Sequence, residues 1–243
     1  MSGNEEVKDL TDQSKKLVFV DIDGTLVSPP TAWDLLIYCL HKKIVPKTSL
    51  IYAGQQFFLN CLNRFNHKKA IDYWLNLLSG MPLATFTSYC ENAFEQRIRY
   101  NFIPIMLDNI LNHKKNEDHI ILISSTNTYF AQTISQLLNL DGFYSLEVLI
   151  KDEKLTTDTV MPIPYHMGKV HYAKAHAEKI KMSLSNAYFY SDSISDLPLL
   201  LAVGNPIVIN PDRHLKKYAQ KEKWPILIDK NRTDVKEYIK AFA

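Results

Sequence analysis

Asp21 and Asp23 stand one residue apart, directly after the apolar run Leu17-Val18-Phe19-Val20. If the extended backbone of that run persists, its two-residue period points both carboxylates to the same side. Two carboxylates that close resist ionising together unless a cation sits between them. The donors are all oxygen, with no His or Cys nearby, so the expected ion is Mg²⁺ rather than Zn²⁺. Gly24 follows and lets the backbone turn sharply or approach a ligand closely. An acidic turn without chemistry would use the same residue types.

Three further groups suit phosphate or metal. Ser124-Ser125-Thr126-Asn127 falls between an apolar run and a helical pattern, where unpaired first-turn amides attract anions and hydroxyls add donors. Capping is the plain alternative for Ser and Thr there. Asp192 ends another apolar run and offers a third oxygen ligand. Four residues on, Asp196 precedes Pro198, which suits a first helical turn and makes Asp196 an N-cap or first-turn residue. Lys169 begins a helix after Met161-Pro162-Ile163-Pro164. An ammonium there would neutralise a phosphate and a carboxylate together, although a surface lysine is the ordinary alternative.

The elements that must position these groups are legible as alternating strands and helices. Leu17–Val20 is a short apolar run rich in β-branched residues, which suits a strand buried on both faces. His119–Ile123, Ala187–Tyr190, Pro206–Ile209 and Pro225–Ile228 read as further strands. Asn127–Leu138 and Val170–Met182 read as helices, the former with Phe130, Ile134, Leu137 and Leu138 on one face. Such alternation predicts an α/β fold, a Rossmann-like parallel sheet with right-handed crossovers. Ligands then bind beyond the carboxyl ends of the strands, and Asp21, Ser124 and Asp192 all follow such ends.

From about Thr31 to Arg99 the texture changes. Leu35, Leu36, Leu40, Ile51, Phe57, Phe58, Leu62, Ile71, Trp74, Leu75 and Leu78 recur at helical spacing, punctuated by Pro46, Gly54 and Gly80-Met81-Pro82. This reads as an inserted α-helical domain over 31–99, with the core over 16–30 and 100–243 and a mobile tail over 1–15.

The 243 residues carry 28 Lys and Arg against 26 Asp and Glu, a formal net charge of +2, with 46% apolar and 22% charged residues. That balance excludes a disordered chain and gives no electrostatic case for nucleic acid. No apolar run reaches the about 18 residues of a membrane span. Residues 1–6 are polar and acidic, unlike an export signal, so the expected compartment is the cytoplasm. Cys39, Cys61 and Cys90 lie 22 and 29 residues apart, which is no metal-ligand spacing, and read as reduced core residues. His166, His171 and His176 recur every five residues, which puts them on different helix faces and predicts surface positions.

Taken in order, Asp21-Ile22-Asp23-Gly24-Thr25-Leu26, Ser124, Lys169 and the Asp192/Asp196 pair closely resemble the four motifs of the haloacid dehalogenase superfamily. The helical insert is similar to the C1 cap of its phosphoserine phosphatase-like branch. The resemblance spans about Leu17 to Ile228. It implies a Mg²⁺-dependent phosphomonoesterase acting on a small-molecule phosphate ester. Asp21 would be the nucleophile and form an aspartyl-phosphate. Asp23 would protonate the leaving alcohol and then activate water. Asp21, the Asp23 main-chain carbonyl and Asp192 would hold Mg²⁺. Ser124, the Ser125 amide and Lys169 would bind the phosphoryl oxygens, with Asp196 supporting.

The sequence also departs from the branch. Phosphoserine phosphatases carry Glu nine residues after the nucleophile, where this chain has Pro30. Ser191, Ser193 and Ser195 occupy the places of Gly, Gly and Asn in the fourth motif. A phosphoserine-type enzyme with altered specificity is therefore one alternative. The apolar residues Trp33, Tyr38, Phe57, Phe58 and Trp74 either form the insert's own core or line a groove for a lipid-like or aromatic ester. A binding protein that kept the fold and lost catalysis is the rival from another class. A response-regulator receiver has its acids on separate strands and lacks the insert.

Overall fold

The computed structural model describes residues 15–61 and 66–242. The expected tail, Lys15 apart, lies outside the described residues, as do Leu62 and the side chains of Phe57, Phe58 and Cys61.

The chain opens with β1 (Leu17–Val20), followed by α1 (Thr31–His41), α2 (Thr48–Cys61), α3 (His67–Leu78) and α4 (Leu83–Gln96). Next come α5 (Pro104–Lys115), β2 (His119–Asn127), α6 (Thr128–Leu137), β3 (Gly142–Leu146) and the strand pair β4 (Val148–Lys151) and β5 (Lys154–Thr159). The remainder is α7 (Met167–Lys179), β6 (Tyr188–Ser191), α8 (Leu197–Ala202), β7 (Asn205–Ile209), α9 (Arg213–Glu222), β8 (Ile226–Leu227) and α10 (Ile239–Phe242). Six strands form a sheet in the order β3-β2-β1-β6-β7-β8. All its pairings are parallel. The expected Rossmann-like α/β core is therefore present.

Burial on both sides explains the apolar runs. Val18, Val20, Ile120, Leu122 and Tyr190 face one cluster, which α1, α4, α5 and α6 also enter through Leu35, Phe94, Met106 and Phe130. Leu17, Phe19, Ile121, Ile123 and Phe189 face the other, built with Val170 and Ala173 of α7, Leu199 of α8 and Leu215 of α9. The two-residue period sends alternate side chains into each layer.

Several boundaries differ from expectation. β2 runs four residues past Ile123, because Asn127 still pairs with Leu146 of β3 beyond a register shift. β3 was not expected; its half-buried Gly-Phe-Tyr-Ser-Leu lacks an apolar run. β4 and β5 form an antiparallel hairpin of mixed polarity, also unforeseen. α7 begins three residues before the expected Val170, which brings Lys169 into its first turn. His176 is not a surface residue. Its Nε2 lies 2.9 Å from His119 Nε2 and its Nδ1 lies 3.0 Å from Tyr144 Oη. His166 and His171 are exposed.

Among the described residues, the helices between β1 and α5 share most of their buried apolar side chains with the sheet's cluster. Asp34 of α1, fully buried, accepts from Arg97 Nε at 2.9 Å and from Asn101 Nδ2 at 2.7 Å. Tyr38, Cys39 and Cys90 join the sheet's cluster, and Trp74 packs against it, whereas Trp33 is exposed. The α3–α4 joint is tied to the hairpin: Gly80 N donates to Leu155 O, Leu155 N to Met81 O and Leu83 N to Glu153 O, each within 2.9 Å.

Gly204, between α8 and β7, lies against another turn. A Cβ added there would fall 1.7 Å from Ser185 O. Gly204→Ala therefore forces main chain apart, and urea unfolding followed by circular dichroism is expected to show a loss of about 2 kcal/mol.

Candidate active site

Register brings the chemistry together. Val20 pairs with Leu122 on one side and with Tyr190 on the other. The chains leaving β1 and β6 therefore emerge side by side, and Asp21 N still donates to Tyr190 O at 3.0 Å. Beyond it, Leu26 N and Val27 N both donate to Ile22 O, closing a tight turn.

Gly24 sits in that turn at φ +87°, and a Cβ there would fall 2.0 Å from Asp192 Oδ2. Only glycine lets the Asp192 carboxylate lie against the turn. Thr25 Oγ1 donates to Asp192 Oδ1 at 3.4 Å. The loop after β6 is pinned from behind by Asp212. Its main-chain N donates to Asp192 O at 2.8 Å, and its Oδ2 accepts from Ile194 N at 2.6 Å.

Lys169 is buried and shared between two acids. Its Nζ donates to Asp21 Oδ1 at 2.8 Å and to Asp196 Oδ2 at 2.7 Å. Asp196 stands at the N-cap position of α8, but its side chain makes no cap bond. It takes Lys169 instead, and Ser191 Oγ at 2.7 Å. The capping alternative for Asp196 and the surface alternative for Lys169 both give way, because a buried ammonium needs carboxylates. Helix α6 is capped by Asn127, whose side chain accepts from Phe130 N. Ser124 is thereby left to the site: it is buried, and its Oγ lies 3.3 Å from Thr126 Oγ1.

Asp23 is held by two residues that sequence reasoning did not connect to it. Thr31 N donates to Oδ1 at 2.6 Å, and Thr126 Oγ1 donates to Oδ2. Thr31 opens α1, so this clamp joins the end of the sheet to the first helix after β1. The Pro29-Pro30-Thr31 run signals a helix start but not this contact. Asp21, Lys169 and Asp196 thus touch directly, Asp23 meets Ser124 through Thr126, and Asp192 reaches the set through the Gly24 turn. Ser125 follows Ser124 on β2, half-buried, and takes no part in these contacts.

The electrostatics are those of crowded acids. Burial lifts Asp21 from 3.8 to about 6, Lys169 opposes this, and Asp196 and Asp23 add to it. Asp192 is raised by desolvation and by Asp21 and Asp196. Asp23 is raised by burial, with the Thr126 and Thr31 hydrogen bonds opposing. Burial would lower the Lys169 ammonium, yet Asp196 and Asp21 outweigh it and the pKa goes up.

Such a set fits a hard dication. The donors are oxygens, the negative charge exceeds the single ammonium, and Asp196 Oδ1 is buried without a hydrogen-bond partner. Among the described residues no three His, Cys, Asp or Glu side chains are grouped to hold a metal. Two carboxylates and a main-chain carbonyl would have to do so.

The sequence pattern of haloacid dehalogenase-like hydrolases matches residues 18–201. The chain belongs to that family. It is 26% identical over 220 residues to a probable phosphatase of Mycobacterium tuberculosis, covering 88% of this chain and 76% of that one. It is also 26% identical over 228 residues to a histidinol-phosphatase of Neisseria meningitidis serogroup C, covering 88% of this chain and 98% of that one. A substrate-bound phosphoserine phosphatase shares the fold, with a TM-score of 0.67 at 20% identity, covering 93% of this chain and 97% of that one. Family and relatives together make the chain an enzyme, a phosphatase. Among the described residues no helix is long and apolar enough to cross a membrane.

The raised Asp21 pKa carries a sign. Between its unfolded value of 3.8 and about 6, the folded chain keeps a proton that the unfolded chain releases. Stability is then fully present below that window and is lost as pH rises through it, by on the order of 3 kcal/mol. Asp192, also raised, deepens the loss. Melting temperature in a chelating buffer is expected to fall from pH 4.5 to 7, and to fall less in Asp192→Asn.

Proposed function

We propose that this phosphatase hydrolyses a small phosphate monoester with Mg²⁺, through an aspartyl-phosphate on Asp21. The observation that carries the reading is the buried Lys169 ammonium, held at 2.8 Å from Asp21 and 2.7 Å from Asp196 at the carboxyl ends of β1 and β6. It sets a positive charge beside a nucleophile that phosphoryl oxygens must approach.

A carboxylate oxygen of Asp21 attacks phosphorus, and the bond to the ester oxygen breaks. Lys169, Ser124 and the Ser125 amide offset charge on the phosphoryl oxygens. Asp23 begins protonated, which its raised pKa favours, and gives that proton to the leaving alcohol. It then takes a proton from water as that water attacks phosphorus, which frees phosphate and returns the Asp21 carboxylate. Thr31 and Thr126 hold the Asp23 side chain in one orientation for both transfers. Asp21, Asp192 and the Asp23 carbonyl would hold Mg²⁺, which supplies charge neutralisation for the incoming phosphate.

In the same reading residues 31–99 act as a cap over the site and exclude water during the first step. Pro30, where phosphoserine phosphatases carry Glu, supports a leaving group other than serine.

Asp21→Asn is expected to lower Mg²⁺-dependent hydrolysis of p-nitrophenyl phosphate by at least about a thousandfold. Undiminished turnover would refute the assignment. Mg²⁺ binds the folded chain in this reading, so it should raise the wild-type melting temperature at pH 7. Asp192→Asn is expected to abolish that rise; an equal rise in the variant removes Asp192 from the metal site.

A further inference from the structure

Helix α3 opens with a side chain that the reaction above does not use. Asn66 caps this helix, accepting from Lys69 N at 3.0 Å, and His67 is its first residue. The His67 imidazole lies flat on the Tyr165 phenol, with ring centroids 3.7 Å apart and planes 7° from parallel. Tyr165 stands four residues before Lys169, on the loop that enters α7.

That loop is built to hold the phenol still. Tyr165 N donates to Ile163 O at 2.7 Å, and Gly168 N donates to Tyr165 O at 2.9 Å. A Cβ on Gly168 would fall 1.8 Å from Ile163 O, so the main chain is folded tightly on itself. His166, between Tyr165 and the helix, takes φ 51° and ψ −119°, a strained setting for a residue with a Cβ.

Both rings lie within electrostatic reach of the phosphate-binding lysine. Burial pushes the His67 imidazole down to about 4, with Lys169 lowering it further and Asp196 opposing. Burial raises the Tyr165 phenol, against a hydrogen bond with Ser195 and the charge of Lys169. At neutral pH both rings are thus uncharged, and the charges of Lys169 and Asp196 reach both of them.

We propose that His67 and Tyr165 are specificity-determining residues, which select a phosphate ester whose alcohol carries a planar ring. Tyr165 already stacks on one flat heteroaromatic ring, His67, and in this proposal a substrate ring packs against the pair. Offset ring pairs favour planar over saturated rings of equal size. A neutral wall also leaves no charge to recruit an ammonium or a carboxylate on the substrate.

This rests on the phosphatase reading, and the test separates the two. The probes are 2-phenylethyl phosphate and 2-cyclohexylethyl phosphate, which differ in planarity but hardly in size or leaving-group acidity. Wild-type kcat/KM is expected to favour the phenyl ester by roughly fivefold. Tyr165→Leu and His67→Leu should each bring the ratio toward one, mostly through KM, whereas Tyr165→Phe keeps the ring and the preference. A merely structural role would depress both esters alike and leave the ratio unchanged. No preference in the wild type, or a full preference in either leucine variant, overturns the proposal. Asp21→Asn is run beside them. If it stays active on both esters, the Asp21 nucleophile reading fails; if it is inactive while the wild type does not discriminate, only the ring selection fails.

Discussion

The Lys169 ammonium faces four carboxylates, and the surplus of negative charge governs the rest of the molecule. Burying acids without enough positive charge is unfavourable, and their raised pKa values express that cost. The chain tolerates it because the acids stand where the fold cannot move them. Asp21 continues a strand whose neighbours on both sides are buried, Asp192 lies against a glycine turn, and Asp196 is bonded by Lys169 and Ser191. The same arrangement that is costly for the folded chain prepares a place for a dication and a phosphoryl group.

Preorganisation extends outward from that charge. Asp212 fixes the Asp192 loop and also caps α9 through His214 N and Leu215 N, so one side chain links a helix start to the site. Asp23 is gripped by Thr126 from the sheet and by Thr31 from the first inserted helix. A proton carrier in this reading therefore rests on both parts of the structure, and its orientation depends on their staying in register.

The sequence revealed the acids and the lysine because strand ends are marked by the stop of an apolar run. It revealed the sheet's centre for the same reason: β1, β2, β6 and β7 are buried on both faces and read as apolar. It hid β3, which is half-buried and mixed, and the β4–β5 hairpin, whose Lys-Leu-Thr-Thr-Asp-Thr strand carries little apolar signal. Partners far apart in sequence were equally hidden. Nothing local marks Thr31 or Thr126 as a holder of Asp23, or brings His67 to Tyr165 across 97 intervening positions. Asp196 shows the limit sharply: its place before a proline-led helix was legible, but the choice between its helix and Lys169 is made only in three dimensions.

The inserted helices share their apolar contacts unequally. Leu35, Leu36 and Cys39 of α1, with Cys90, Ala93 and Phe94 of α4, belong to the same buried layer as the sheet. Excising the whole stretch would strip part of the cover from one face of the sheet and leave the rest to α5 and α6. The insert is thus not a cassette that evolution or engineering can exchange wholesale. Among the described residues α2 and α3 reach that layer only at its margin, through Ala53, Trp74 and Leu77, so this half can vary at less cost to the sheet than α1 or α4.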